Sequence, residues 1–293
     1  MTRIVRQALI AFAILAALLI LAALVITLRE PDPESLPMPN PNGYDDLVKA
    51  EEMLAKARRG ITQVPGSNSL AEVVEAGAEA VRVAKIGLGR ECRPPPRTSP
   101  VTYAQARSAP HRFYLLIGAF EDEGDLAEMR DHVADAAQSY LAVTRIGQEM
   151  TRGGGVRDAI FGSGYEEEGL TPLQRLATTF TSGECKQVTA SLESADARRE
   201  TVATVAHRER IWRRRAFGWR YYLHPIANAQ QKDLASNISL VSDHTRKLMI
   251  TLAARAFELE HGVKPKSIND LVPAYLKTIP KDAFTGKDMA LGN

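Results

Sequence analysis

The sequence predicts a mainly α-helical protein with one N-terminal transmembrane helix, a Pro-rich stalk and an exported domain of packed antiparallel helices. Three observations carry this. Ala8–Leu28 is an apolar run broken only by Thr27, which nothing else in the chain approaches. Beyond it the chain is Ala-rich with few aromatics, 6% of all residues, a profile of packed helices rather than of a β-sandwich. Strand signals are poor, and short apolar runs such as Phe113–Ile117 sit inside helical spacings.

The apolar run comes first. At about 1.5 Å per residue it is long enough to cross a hydrocarbon layer of ~30 Å. Arg3, Arg6 and the amino terminus precede it, whereas Arg29 is followed by Glu30, Asp32 and Glu34. The positive-inside rule then leaves residues 1–7 in the cytoplasm and exports everything after the span. A cleaved signal peptide is the alternative, but its apolar region is typically about 7–15 residues and ends at a small-residue site. Leu24–Glu30 offers no such site, so an uncleaved signal-anchor in a bacterial inner membrane is expected.

Residues 29–43 form the stalk. Five prolines lie between Pro31 and Asn42, favouring extended, semi-rigid chain. The exported α-helical domain spans residues 44–262. Tyr44–Arg59 reads as its first helix, stopped by Gly60, and Pro65–Asn68 as a turn. Ser69 and Glu72 have capping-box spacing ahead of a helix to about Arg90, which Pro94–Pro96 ends. Tyr103–Phe120 reads as a helix interrupted at Pro110, and Glu123–Asp125 as a turn. The strongest periodic stretch then runs from Leu126 to Gly147 and ends at Gly153–Gly155. Short helices are expected at Val156–Phe161, Pro172–Phe180 and Cys185–Ser194. Gly162–Gly164 then reads as a turn and Glu166–Glu168 as a solvated acidic turn. Asp196–Arg215 and Asp233–His261 read as long helices, and residues 263–293 as a C-terminal block packed on the last of them.

Charge is nearly balanced, with 37 Lys and Arg against 35 Asp and Glu, so the net charge of +2 gives no reason to expect a nucleic-acid partner. Cys92 and Cys185 are the only cysteines. In an oxidising compartment the pair invites a disulfide, which by loop entropy would contribute roughly 4 kcal/mol. The other reading is two buried thiols acting as small apolar side chains.

The most unusual exported segment is Arg208–Tyr222, six arginines interleaved with five aromatics. Such a mixture suits anionic headgroups or an acidic partner surface. Arg213, Arg214, Arg215, Trp219 and Tyr221 are the candidate contact patch for a partner or for headgroups. The alternative is a helix end whose Trp212 and Phe217 fill the core while the arginines face water.

No catalytic, cofactor-binding or metal-binding residue is assigned. His207, Glu209, His244, Glu258 and His261 lack zinc-site spacing, and His244 and His261 stand about 25 Å apart on one helix. Gly153–Gly155 and Gly162–Gly164 lack the strand, lysine and hydroxyl of a phosphate loop. A non-enzymatic envelope protein that binds or scaffolds other envelope proteins is therefore expected, with no cofactor. An envelope hydrolase is a distant third class, because no nucleophile–base pair is visible.

The last forty residues carry a resemblance. A helix is followed by His261–Gly262, Pro265, Ser267–Ile268, Leu271–Pro273 and Tyr275–Leu276, then Ile279–Pro280, Asp282, Phe284 and Gly286–Lys287. This pattern resembles the C-terminal block of a group of uncharacterised single-pass bacterial membrane proteins, and is similar to the one that follows the long helix of type II secretion pseudopilins. Asn42–Ala50 and Ser139–Gly147 are similar to the former group as well. The resemblance implies an envelope location and, as the alternative function, a component related to the type II secretion or pseudopilus machinery. Met1–Ala8 has neither the Gly–Phe junction nor the later Glu that pseudopilus assembly uses.

Overall fold

The computed structural model describes residues 3–29, 37–61, 69–108, 112–223 and 228–291. The chain forms two compact units, Met1–Pro37 and Met38–Asn293. The first is built on α1 (Arg3–Arg29), whose Leu9, Phe12, Leu19 and Ile20 are all exposed. Most of the stalk, residues 30–36, lies outside the described residues, as do the expected turn at Pro65–Asn68 and Pro110. The stalk's far end is already part of the second unit. Asn42 is buried, accepting from the Arg93 N–H and donating to the Arg93 carbonyl, both at 2.9 Å.

The second unit is helical, with no strand among the described residues and one isolated bridge, Lys281 to Asp288. It begins with α2 (Gly43–Ile61) and α3 (Leu70–Leu88). Ser69 caps α3 reciprocally: the Glu72 N–H donates to its hydroxyl at 3.4 Å, and Glu72 accepts from the Ser69 N–H at 2.9 Å. Then come α4 (Pro100–Ser108) and α5 (Tyr114–Met129). The turn expected at Glu123–Asp125 is absent, and these residues continue α5. Gly124 is there for packing, since a Cβ would stand 2.6 Å from the Tyr140 ring. The chain turns instead at Arg130–His132, where Asp131 takes a positive φ of 60°, so the long periodic stretch is divided between α5 and α6 (Val133–Thr151).

A single helix, α7 (Val156–Leu176), replaces the two short helices and two turns expected there. Gly162 sits in its middle because α6 approaches too closely for a side chain. A Cβ on Gly162 would lie 2.4 Å from the Gly147 carbonyl oxygen, and one on Gly147 would lie 2.4 Å from that of Gly162. Next are α8 (Ser182–Asp196), α9 (Val202–Phe217), a 3₁₀ segment at Gly218–Leu223 and α10 (Asn228–His261). The helix expected over Asp196–Arg215 is broken at Ala197–Thr201, where the Thr201 hydroxyl accepts from the Thr204 N–H at 3.1 Å and starts α9 afresh.

Three apolar clusters hold the unit together. One joins α2, α3, α5 and α6 through Leu47, Val81, Leu88, Phe113, Phe120 and Ile146. A second joins α6, α7, α8 and α10 through Tyr140, Leu173, Leu192 and Leu252, and takes in Leu271 and Leu276 of the C-terminal block. A small third cluster sets Val156 and Ala159 against Val205, Leu234 and Ile238. Helix α6 is thus shared by the larger two, and α7 reaches the first through Tyr165. Cys92 and Cys185 are free thiols in different clusters, so the disulfide weighed from the sequence is not formed. Burial pushes the Cys92 thiol up to about 12 and the Cys185 thiol up to about 11, which keeps both protonated and unreactive.

Candidate functional site

Arg213, Arg214, Arg215 and Tyr221 fall on the last turn of α9 and the 3₁₀ segment after it; the side chain of Trp219 lies outside the described residues. Arg215 is exposed, whereas Arg213, Arg214 and Tyr221 are half-buried. Trp212 is buried, and Phe217 meets the Tyr103 ring with centroids 5.3 Å apart. Among the described side chains of the segment, Trp212 and Phe217 therefore pack inward. Arg213 also has an internal task, because its charge acts on Glu209.

Glu209 is buried at the start of α7, accepting from the Val156 N–H and from the Tyr103 hydroxyl, each at 3.3 Å. Asp158 accepts from the Gly155 N–H at 2.8 Å and pairs with Arg97. Burial raises the Glu209 carboxyl while Arg97 and Arg213 oppose it. This helix N-terminus is thus occupied by the protein's own carboxylates.

The histidines are tied to structure. His244 lies 2.8 Å from both Glu167 and Gln174, and His261 stacks on Phe257 at 4.2 Å. No group of three His, Cys, Asp or Glu residues that could hold a metal occurs among the described residues. A polar knot on the surface joins α8 to the C-terminal block: Glu260 accepts from Ser182 and Tyr275, each at 2.5 Å, and pairs with Lys186 at 2.6 Å. Those three donors hold the Glu260 carboxyl down at about 2.

Inside the unit runs a charged chain that the sequence reading missed. Glu166 is fully buried rather than solvated, and Arg199 grips it through two bonds of 3.0 and 2.8 Å. Arg199 also reaches Asp196 at 3.1 Å, Asp196 accepts from Arg246 at 2.8 Å, and Arg246 donates to the Lys281 carbonyl at 2.8 Å. One line of hydrogen bonds thereby fastens α7, α8, α10 and the C-terminal block. Burial alone would raise the Glu166 carboxyl strongly, and the Arg199 fork opposes it.

Among the described residues, an open trough of about 840 Å³ lies between α3, α6 and α8. Gln138, Leu141, Ala142, Arg145 and Gln148 form its α6 wall, and Gln187, Ala190, Ser191, Ser194 and Ala195 its α8 wall. Both sets recur at three- and four-residue steps, so each is one helix face. Lys85, Leu88 and Leu192 also line it, as does Arg198 just beyond α8.

Lys85, Arg145 and Arg198 are the charged residues of the lining, and no carboxylate is among them. Lys85 is paired outward with Glu123 at 2.8 Å, and Arg198 approaches Glu149 at 3.7 Å. Arg145 differs from both: its Nε is buried and has no hydrogen-bond partner. Glu149, whose side chain is 4% exposed, likewise keeps one buried carboxylate oxygen without a hydrogen bond. Its carboxyl is raised by burial, with Arg152, Arg198 and Arg145 opposing.

A signal for both missed regions is present in the sequence. Glu166 falls four residues after Gly162 and four before Leu170, on the buried stripe of α7. Arg145 belongs to the stripe of α6 that holds Gln138, Leu141 and Gln148, away from the core positions Val143, Gly147 and Met150. Compared with models of protein families, with curated proteins and with solved structures, the chain matches none of them.

Proposed function

We propose that this chain is a single-pass, membrane-anchored envelope protein whose exported body of antiparallel helices binds or scaffolds other envelope proteins and catalyses no reaction. The observation that carries the reading is α1: Val5–Leu24 has a mean hydropathy of 2.7 and none of it is buried. An apolar helix left bare in water forfeits roughly 25 cal/mol for every Å² it exposes, and a bilayer removes that cost. The flanking charges set the N-terminus in the cytoplasm and the body outside. A body whose buried charges fasten helices together, and which carries an open trough, suits the holding of another chain.

Fractionation and a reporter fusion test it. The full-length chain is expected in the membrane pellet after alkaline carbonate washing, with alkaline phosphatase active and a fluorescent protein dark when fused to its C-terminus. Recovery in the soluble fraction, or the opposite pair of signals, overturns the reading. A second reading, a component related to the type II secretion machinery, is favoured by the C-terminal block and its docking through Leu271, Leu276 and Tyr275. Co-purification with secretion subunits tests that one.

A further inference from the structure

We infer that the trough between α3, α6 and α8 is a docking site for an acidic, partly apolar segment of a partner protein, with Arg145 as its central contact. The inference rests on the binding reading above and names the chemistry of what is bound. Charge complementarity supplies the argument. Lys85, Arg145 and Arg198 stand over a lining that holds no carboxylate, in a protein whose charges otherwise balance almost evenly.

Arg145 is the strongest element. Elsewhere in this unit, buried or half-buried arginines such as Arg97, Arg199, Arg208 and Arg246 are held by carboxylates or carbonyls. Arg145 instead lines an open surface; its Nε is buried and unpartnered, as is that of Arg255, and its charge also acts on the buried Glu149. Arg145 is half-buried in the trough lining, and the planar fork of a guanidinium suits two-point contact with a carboxylate. Leu88, Leu141, Ala142, Ala190 and Leu192 provide the apolar part. From Gln138 to Gln148 the α6 wall is about 15 Å long, enough for about ten residues of helix or about five of extended chain. Lys85 already pairs with Glu123 and Arg198 lies near Glu149, so Arg145 carries the argument: a basic segment would meet its like charge and a purely apolar one would leave its fork unused.

The test uses the full chain in detergent micelles and three fluorescein-labelled peptides of equal length, alternating Leu with Glu, with Gln or with Lys. The Glu peptide is expected to bind about tenfold more tightly than the Gln peptide, and the Lys peptide not to compete. Arg145→Glu is expected to weaken the Glu peptide by at least about tenfold and Arg145→Lys by less. Arg130→Glu, on an exposed arginine outside the trough, is expected to change nothing. Should Arg145→Glu lose its helical circular dichroism, Gln187→Glu and Ser191→Glu, at exposed positions of the α8 wall, carry the same expectation. Equal binding of the Glu and Lys peptides, or binding indifferent to all three trough variants, overturns the inference. A chain that pellets with membranes yet ignores every peptide removes this inference alone, whereas a soluble chain that binds the Glu peptide removes only the membrane reading.

Discussion

Two groups of arginines in the same helical unit are used in opposite ways. Arg199 is drawn into the interior, where Glu166 and Asp196 take up its fork from two sides. Arg145, on the neighbouring face of α6, is half-buried with an unpartnered Nε beside an open trough. The difference teaches that residue type does not separate a structural charge from a recognition charge. What separates them is whether the fold delivers a hydrogen-bonded counter-charge: Arg199 forks Glu166, whereas Arg145 acts on Glu149 only through its field.

Removing the delivered counter-charge is expected to have the largest effect. Arg199→Met leaves the buried Glu166 without a counter-charge, with only the Gln148 amide donating to it at 3.4 Å, and is expected to cost about 3–5 kcal/mol, read by urea unfolding of the full chain. The double variant Glu166→Leu with Arg199→Met is expected to recover much of that loss. A double variant no more stable than the single one would show that packing around Arg199, rather than the stranded carboxylate, sets its importance.

An intermediate case sharpens the contrast. Burial first, and then the negative charges of Glu168, Asp125 and Asp122, push the half-buried Glu121 carboxyl up from 4.5 to about 7. A carboxyl raised on folding binds its proton more tightly in the native state. Its stabilising contribution is therefore full below about pH 4.5 and is lost as pH rises through about 7. Allowing for solvent screening at this half-exposed site, unfolding free energy is expected to fall by about 1 kcal/mol across that window, and Glu121→Gln to flatten the slope. A slope unchanged in the variant assigns the dependence to other groups.

The smallest effect is expected in the trough. Arg145→Met breaks no hydrogen-bonded ion pair and leaves Arg152 and Arg198 beside Glu149, so stability is expected to fall by no more than about 1 kcal/mol. A loss as large as that of Arg199→Met would place Arg145 among the structural charges and erase the distinction between the two regions.

Much of the helix count was readable from spacing and caps. Ser69 with Glu72 marked the start of α3, and Gly262, at a positive φ of 70°, marked the end of α10. Two of the errors share one cause. Gly124, Gly162 and Gly164 lie within helices, and reading glycine as punctuation cut α5 and α7 into pieces. Glycine ends a helix when it takes a positive φ, but it also sits mid-helix where a neighbour comes too near for a Cβ. Those two uses look alike in one dimension. In the same way Glu166 read as solvent-facing because two glutamates follow it, although only Glu166 shares the stripe of Gly162 and Leu170. The arginine–aromatic segment was legible as unusual, but not that Trp212 would be buried or that Arg213 would act on Glu209.

The sequence by itself determined the exposed apolar helix, the mainly helical class and the cap that begins α3, because each depends on residues within a few turns of one another. Only the tertiary structure decided which glycines let α6 and α7 touch, which carboxylate Arg199 would grip and that Arg145 would be left facing an open trough. Those outcomes depend on side chains dozens of residues apart being brought within hydrogen-bond reach, and no local spacing encodes that.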